Sequence, residues 1–250
     1  MARTAVLGRL RRLPWVTATA RDVVDETARA RTITLDVEGW TRHRPGQHVD
    51  VRLTAEDGYQ AQRSYSIASG PEEDGVKLTI DRIDDGEVSP YLAGALQPGD
   101  VFEIRGPIGG YFTWTVDEGG PLLLIAGGSG LAPLMSMLRH RAARAAPVQA
   151  HVLVSARCAD DVLYRDELAA LEPREGLRVA HTYTRETAAD RTGWSRRVDA
   201  AMIADVSPGA HARCFVCGPT PFVEHVTELL VAGGHDPLAV HAERFGPTGG

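Results

Sequence analysis

The chain has 250 residues, more than one domain usually holds, so two domains are expected. Hydrophobic residues make up 43% and charged residues 24%, an ordinary globular balance that supplies a core for each half. The formal net charge of -6 argues against a nucleic-acid partner, which would call for a basic surface.

The amino terminus, MARTAVLGRLRRLPW, carries arginines but no long apolar core and no small-residue cleavage site. It reads as mature protein rather than a signal peptide. Leu7, Leu10 and Leu13 are spaced for a short amphipathic helix packed on the fold, with a docking arm as the other reading. From about Thr17 to Gly106 the apolar period is two. Ile33, Leu35 and Val37 alternate with Thr32, Thr34 and Asp36; Val49, Val51 and Leu53 with Asp50, Arg52 and Thr54; Val76, Leu78 and Ile80 with Lys77, Thr79 and Asp81. Pro45-Gly46, Glu56-Asp57-Gly58, Gly70-Pro71 and Pro98-Gly99 punctuate these runs as turns. Short strands at this spacing predict a small antiparallel barrel. RSYSIAS, Arg63 to Ser69, departs from the pattern: Arg63 and Tyr65 share one face of a strand, Ser64 and Ser66 the other. That mixture suits something large, flat and negatively charged, and a solvated edge strand is the alternative.

After VDEGG the pattern changes. PLLLIAGG is a continuous apolar run ending in glycines, as expected of a parallel strand buried on both faces. A helix is predicted over 131–145. Then QAHVLVS leads to DDVLYRDELAAL, LRVAHTYT to RRVDAAMIAD, RCFVCG to PFVEHVTELLVAGG, and PLAVHAERF supplies a last strand. Five strands alternating with four helices predict a doubly wound α/β sheet. Asp117 to Gly120 is the linker, dividing the chain into residues 1–117 and 118–250.

No apolar run approaches the roughly 18 residues of a membrane span. Cys158, Cys214 and Cys217 cannot make a disulfide framework, so a reducing cytoplasm is expected. Cys214 and Cys217 form a lone CxxC, and the histidines show no HxxxH pair, so no metal site is expected.

In an open α/β sheet, ligands bind beyond the carboxyl ends of the strands. GGSGLAP, Gly127 to Pro133, lies at such an end and opens a helix, with Pro133 in its first turn. Glycines let backbone approach a phosphate, and a helix N-terminus favours the anion. The spacing is not GxGxxG, so the turn alone reads either as a phosphate site or as a plain tight turn. CGPTP, Cys217 to Pro221, stands at the end of the fourth α/β strand. Two such turns on one rim favour a dinucleotide cleft.

Arg-x-Tyr-Ser in a barrel, followed by Gly-Gly-x-Gly-x-Ala-Pro and Cys-Gly-Pro in an α/β domain, resembles the ferredoxin–NADP reductase family from about Trp15 to Phe245. The resemblance implies a flavin-binding barrel for FAD and a second domain for NADPH or NADH. It places Arg63 on the flavin pyrophosphate, Tyr65 against the isoalloxazine and Ser66 near N5, with Ser64 in the same segment. LTID implies Thr79, Ile80 and Asp81 beside the ribityl chain and pyrophosphate, and GEVSPYL implies Gly86, Val88 and Ser89 as pyrophosphate donors. Both stretches also read as ordinary loop chemistry.

For the pyridine nucleotide the resemblance implies Gly128, Ser129, Gly130, Ala132 and Pro133, together with Cys217, Gly218 and Pro219. Thr184 and Arg185 match the family's pair for a 2′-phosphate, with Arg157 assisting, so NADPH is expected over NADH; a surface salt bridge is the other reading of Arg185. Catalysis falls to Ser66, Cys217 and Glu243, although a buried free cysteine is also an ordinary packing residue. Phe245 stands near the family's flavin-covering aromatic. GPTGG follows it, and no cysteine cluster for an iron–sulfur centre is present. A separate electron acceptor, protein or small molecule, is therefore expected, with the chain a monomer. A free-flavin reductase and a non-catalytic flavin- or nucleotide-binding regulatory subunit are the competing functions.

Overall fold

The computed structural model describes residues 13–173, 176–186 and 193–246. The helix expected at Leu7 to Leu13 lies almost wholly outside the described residues. Six strands build the first half: β1 Val16–Asp25, β2 Ala30–Val37, β3 His48–Thr54, β4 Gln60–Ser66, β5 Val76–Asp81 and β6 Val101–Ile108. They pair antiparallel in the order β4-β3-β6-β1-β2-β5. The two edges approach one another where Ile67 bridges Leu78 and the Ala68 N–H donates to Lys77 O at 2.8 Å, giving a barrel-like closure. Inside lie Ile33, Leu35, Val49, Val51, Leu78, Ile80 and Ile104, all fully buried.

β1 and β6 lie outside the alternating runs that mark the other strands. A bulge between Ala20 and Asp22 breaks the period of β1, and Gly106-Pro107 interrupts that of β6. In β2 the polar face is buried too, because Thr32 and Thr34 are covered.

The second half is a parallel sheet ordered β11-β10-β7-β8-β9, from β7 Leu122–Gly127, β8 Ala150–Ala156, β9 Leu177–Tyr183, β10 Arg213–Pro219 and β11 Val240–Phe245. Its helices are α1 Leu131–Ala143, α2 Arg165–Leu171, α3 Ala200–Val206 and α4 Thr220–Ala232. All six residues of β7 are buried, which explains its unbroken apolar run. The first helix stops at Ala143, short of the expected 145, where Ala145 turns left-handed (φ 45) ahead of Pro147. The stretch expected to be helical from Asp160 starts its helix only at Arg165, because Tyr164 sits at φ 52 and is pinned to the barrel.

The two sheets share a packed seam. Ala30, Ala68, Phe112 and Trp114 belong to the same core cluster as α1 and β7. Polar groups cross the seam as well: Ser136 Oγ donates to Ser69 O at 2.6 Å, and Arg139 Nη1 to Ala68 O at 2.7 Å. Deepest is a chain of hydroxyls. Thr32 Oγ1 donates to Glu26 Oε1 at 2.6 Å and meets Thr79 Oγ1 at 2.7 Å, Thr79 hydrogen-bonds the Tyr164 hydroxyl, and the Tyr164 N–H donates to Glu26 Oε2 at 3.1 Å. Satisfied buried networks of this kind fix one arrangement of the groups that share them.

Candidate functional site

On β4, Tyr65 stands opposite Val49 and Arg63 opposite Val51, the inward-facing residues of β3. The Tyr65 ring therefore packs on the barrel core, and burial pushes its phenol up to about 12, against the pull of Arg63. Arg63 is half exposed; its Nη1 donates to Gln62 O at 2.7 Å and its Nη2 to Glu87 Oε2 at 3.3 Å. Glu87 also accepts the Tyr59 hydroxyl at 2.5 Å. It lies within the 86–89 turn, so the guanidinium faces that turn. Val88 anchors the turn in the core, Ser89 Oγ accepts the Ile83 N–H at 3.0 Å, and a Cβ on Gly86 would lie 2.9 Å from Ser89 Oγ.

Three residues in the flavin group do not offer side chains to a ligand. Ser64 donates to Asp50 Oδ1 at 2.6 Å, and Arg105 holds the same carboxylate, because residue 64 takes the face opposite to Tyr65. Ile80 is a fully buried core residue. Thr79 spends its hydroxyl on Thr32 and Tyr164. Of the LTID segment, only Asp81 opens onto the cleft between the sheets.

That cleft, about 320 Å³, runs along the carboxyl ends of β7, β8, β9 and β10. Gly127, Gly128, Ser129, Ala156, Arg157, Thr184 and Pro219 line it, and Arg29 and Asp81 face them from the barrel. Chain order reverses between β7 and β10, so this is the crevice where open α/β sheets bind ligands. Gly128 takes φ 54, a conformation glycine adopts without cost, with nothing within 4 Å of where a Cβ would be. Gly130 answers a different need: its Cβ would fall 2.1 Å from Cys217 O, so α1 could not dock on β10 with a larger residue. Ala132 and Pro133 are buried in α1 and act through packing. Phe222, which the motif reading passed over, lays its ring 2.8 Å from a Cβ on Gly127 and 2.7 Å from one on Gly218. A second opening of about 600 Å³, lined by Asp36, Trp40, His43 and Glu72, contains none of the candidate site residues.

The cations expected to receive a 2′-phosphate are arranged differently from expectation. Arg157 makes a two-pronged pair with Asp161, 2.8 Å from Nε to Oδ2 and 3.1 Å from Nη2 to Oδ1. Thr184 Oγ1 donates to Ala156 O at 3.3 Å. Arg185 donates its N–H to Arg157 O at 2.8 Å, and its exposed side chain is not among those lining the cleft.

At the β10 end, register sets Cys217 beside Glu243 and Pro219 beside Phe245. The Ser66 side chain acts on the Glu243 carboxyl from the barrel side, and Cys217 pairs with Glu243 in register, so the three residues expected to carry catalysis come together across the seam. Burial raises Glu243 to about 7, and Ser66 opposes it. The Cys217 thiol is pushed well up by burial, then by the neighbouring Glu243, while the Gly218 backbone works the other way. It is thus a neutral thiol. Phe245 is 37% exposed at the end of β11.

These residues fit a flavin dinucleotide: a half-exposed guanidinium facing a glycine turn, a tyrosine on the barrel core, and a serine at the seam. Among the described residues, no group of three or more His, Cys, Asp or Glu is placed to hold a metal ion, and no helix is long and apolar enough to cross a membrane.

Comparison with known proteins agrees with this geometry. Residues 19–113 match the oxidoreductase FAD-binding domain and residues 124–228 the oxidoreductase NAD-binding domain. The glycine betaine monooxygenase reductase subunit of Chromohalobacter salexigens is 32% identical over 212 residues, covering 82% of this chain and 56% of that protein. The ferredoxin reductase component of the Rhodococcus rhodochrous 3-ketosteroid-9-alpha-monooxygenase is 30% identical over 245 residues, 94% of this chain and 66% of that protein. The crystal structure of the Amycolatopsis cytochrome P450 reductase GcoB superposes with a TM-score of 0.83 at 29% identity, covering 98% of this chain and 74% of that one. The chain thus spans little more than half the length of the first of these relatives and about two thirds of the second. An FAD-binding barrel seamed to an NAD-binding sheet defines a pyridine-nucleotide-linked flavoprotein oxidoreductase. The chain belongs to the ferredoxin–NADP reductase family.

Proposed function

We propose that the protein accepts hydride from a reduced pyridine nucleotide and passes the electrons to a separate redox acceptor. In this reading residues 1–117 hold FAD and residues 118–250 hold the nucleotide. The observation that carries it is the meeting of Ser66 with Glu243 and Cys217 at the seam beside the strand-end cleft. The relatives named as reductases of monooxygenase systems favour an oxygenase component, or its electron carrier, as the acceptor.

Bound FAD would supply hydride acceptance and the release of single electrons. The chain supplies position and protons. Arg63, with the Gly86–Ser89 turn, would bind the pyrophosphate, and Tyr65 would present its ring to the isoalloxazine. Gly128 and Ser129 would receive the nucleotide's pyrophosphate, and Pro219 and Cys217 would bound the nicotinamide end. Cys217, small and neutral, shapes that wall without adding charge. Glu243, titrating near neutrality, can hold a proton on its carboxyl and exchange it through Ser66 Oγ.

The test is the visible spectrum of the purified, FAD-loaded protein before and after anaerobic addition of NADH or NADPH. Bleaching of a stoichiometric flavin by either coenzyme is expected. Flavin that stays oxidised with both would point to the regulatory subunit, and flavin released on reduction would point to the free-flavin reductase.

A further inference from the structure

The carboxyl ends of β8 and β9 hold a set of charges that the proposed function leaves without a role. We propose that this corner is a ribose-diol site that selects NADH over NADPH, with Asp161 as the discriminating residue; the proposal rests on the nucleotide-binding reading of the cleft.

A dinucleotide whose pyrophosphate sits on the first strand–helix turn extends its adenosine toward the end of the next strand, where an acidic side chain commonly takes the ribose hydroxyls. Here that turn is Gly128–Ser129 after β7, and the next strand, β8, ends at Ala156. Arg157 and Asp161 follow directly, and both line the cleft. Among the described residues, every charge lining this region is accounted for. Arg157 is held by Asp161 at 2.8 and 3.1 Å. Arg29 donates to Arg82 O at 2.7 Å and pairs with Asp84 at 3.2 Å. Asp81 faces Arg157 and Arg29 from the barrel side and adds a second carboxylate to the lining. Among the described residues, two lining arginines are thus offset by two lining carboxylates.

A 2′-phosphate brings close to two negative charges at neutral pH. On the remaining donors of Arg157 it would stand beside the Asp161 carboxylate that already neutralises this guanidinium, with Asp81 nearby. A 2′-hydroxyl has no such conflict. It can donate to a carboxylate oxygen while the Arg157–Asp161 pair stays intact, since a carboxylate has roughly four acceptor sites. The same pairing makes Asp161 a gate on Arg157: neutralising the acid releases a guanidinium well suited to phosphate. This reverses the NADPH preference expected from Thr184 and Arg185, because the cation nearest the site is already committed.

The experiment uses the FAD-loaded protein. Stopped-flow reduction by NADH and NADPH gives the ratio of their kcat/KM values, and calorimetric titration compares ADP-ribose with its 2′-phosphate. The native protein is expected to favour NADH by about tenfold or more, the scale of one charge-assisted hydrogen bond. Asp161→Asn is expected to close that gap through a gain for NADPH, and adding Arg157→Ala to it is expected to abolish the gain. A native preference for NADPH, or an Asp161→Asn ratio unchanged within twofold, overturns the proposal. Flavin that neither coenzyme reduces overturns the proposed function instead, and the two titrations with ADP-ribose compounds then still decide the selectivity.

Discussion

The hydroxyl of Ser66, the last residue of β4, draws down the carboxyl of Glu243 on the last strand of the other sheet. This pair brings the barrel and the nucleotide rim together at the place where hydride would pass. Ser66→Ala is expected to slow anaerobic flavin reduction by about 100-fold or more, the lower range of positioned-group effects. Because Ser66 holds Glu243 down, the variant should also move the acidic limb of the rate–pH profile upward. A stopped-flow rate equal to the native one would remove Ser66 from the mechanism.

Glu243 gives a pH signature in the flavin-free protein. Its carboxyl rises from an ordinary 4.5 to about 7, mainly through burial. Between those values the fold binds the proton more tightly than the unfolded chain does, so stability falls as pH rises through that window and levels off above it. Glu243→Gln keeps the shape and removes the charge. It is expected to raise the urea midpoint over the native protein at pH 8, and to raise it less at pH 5. An equal difference at both values would show that burial of this charge is not what the fold pays for.

Much of this was readable from residue spacing, and the failures have physical causes. Alternation marked β2, β3 and β5 because one face of each meets the barrel core. It missed β1 and β6, where a bulge and a Gly-Pro step break the period. The strand-end turns at Gly127 and Cys217 were visible because glycine and apolar runs are local signals. The partner of Ser64, Asp50, left no local signal because it lies on a neighbouring strand. The hydroxyl that takes Thr79, Tyr164, comes from the other sheet, so no spacing within the barrel could show it. The Arg157–Asp161 pair has an ordinary i,i+4 spacing, yet forms only because the chain turns at Ala159–Asp161 before reaching α2. Arg29 and Phe222 carried no motif at all, and Glu87 stood inside GEVSPYL without being singled out.

Tyr164 is where the seam is most exposed to mutation. Its phenol is fully buried against Thr79, its N–H is held by Glu26, and the Arg139 guanidinium lies 5.1 Å from its ring centroid. Tyr164→Phe preserves the ring and its left-handed backbone and removes only the hydroxyl. The expected loss is about 1–3 kcal/mol in urea unfolding, the cost of leaving a buried partner short of a bond. Thr79→Val should cost a similar amount, and the double variant less than the sum, since the two share one interaction. Strict additivity would mean that the hydroxyl chain does not couple the halves.

Two glycines of the nucleotide turn should respond to alanine for different reasons. Gly130 has ordinary helical torsions, φ -60 and ψ -9, so conformation does not demand glycine there. Crowding does: a Cβ would lie 2.1 Å from Cys217 O, 2.4 Å from Cys217 C and 2.8 Å from Gly218 N, all backbone atoms that cannot rotate away. Gly130→Ala must lift the start of α1 off the end of β10, and is expected to cost about 1–3 kcal/mol in the manner of an overpacked core. Gly128 is the reverse case, with φ 54 and open space around its missing Cβ. Gly128→Ala should cost about 1–2 kcal/mol through the left-handed conformation alone, and Gly128→Asn less, since asparagine visits that region more readily. Urea unfolding of the three variants separates the two causes, and coenzyme reduction kinetics should fall furthest for Gly130→Ala, which moves Cys217 and Gly218 as well. If Gly130→Ala unfolds at the native midpoint, the close packing of α1 on β10 is not what shapes this end of the cleft.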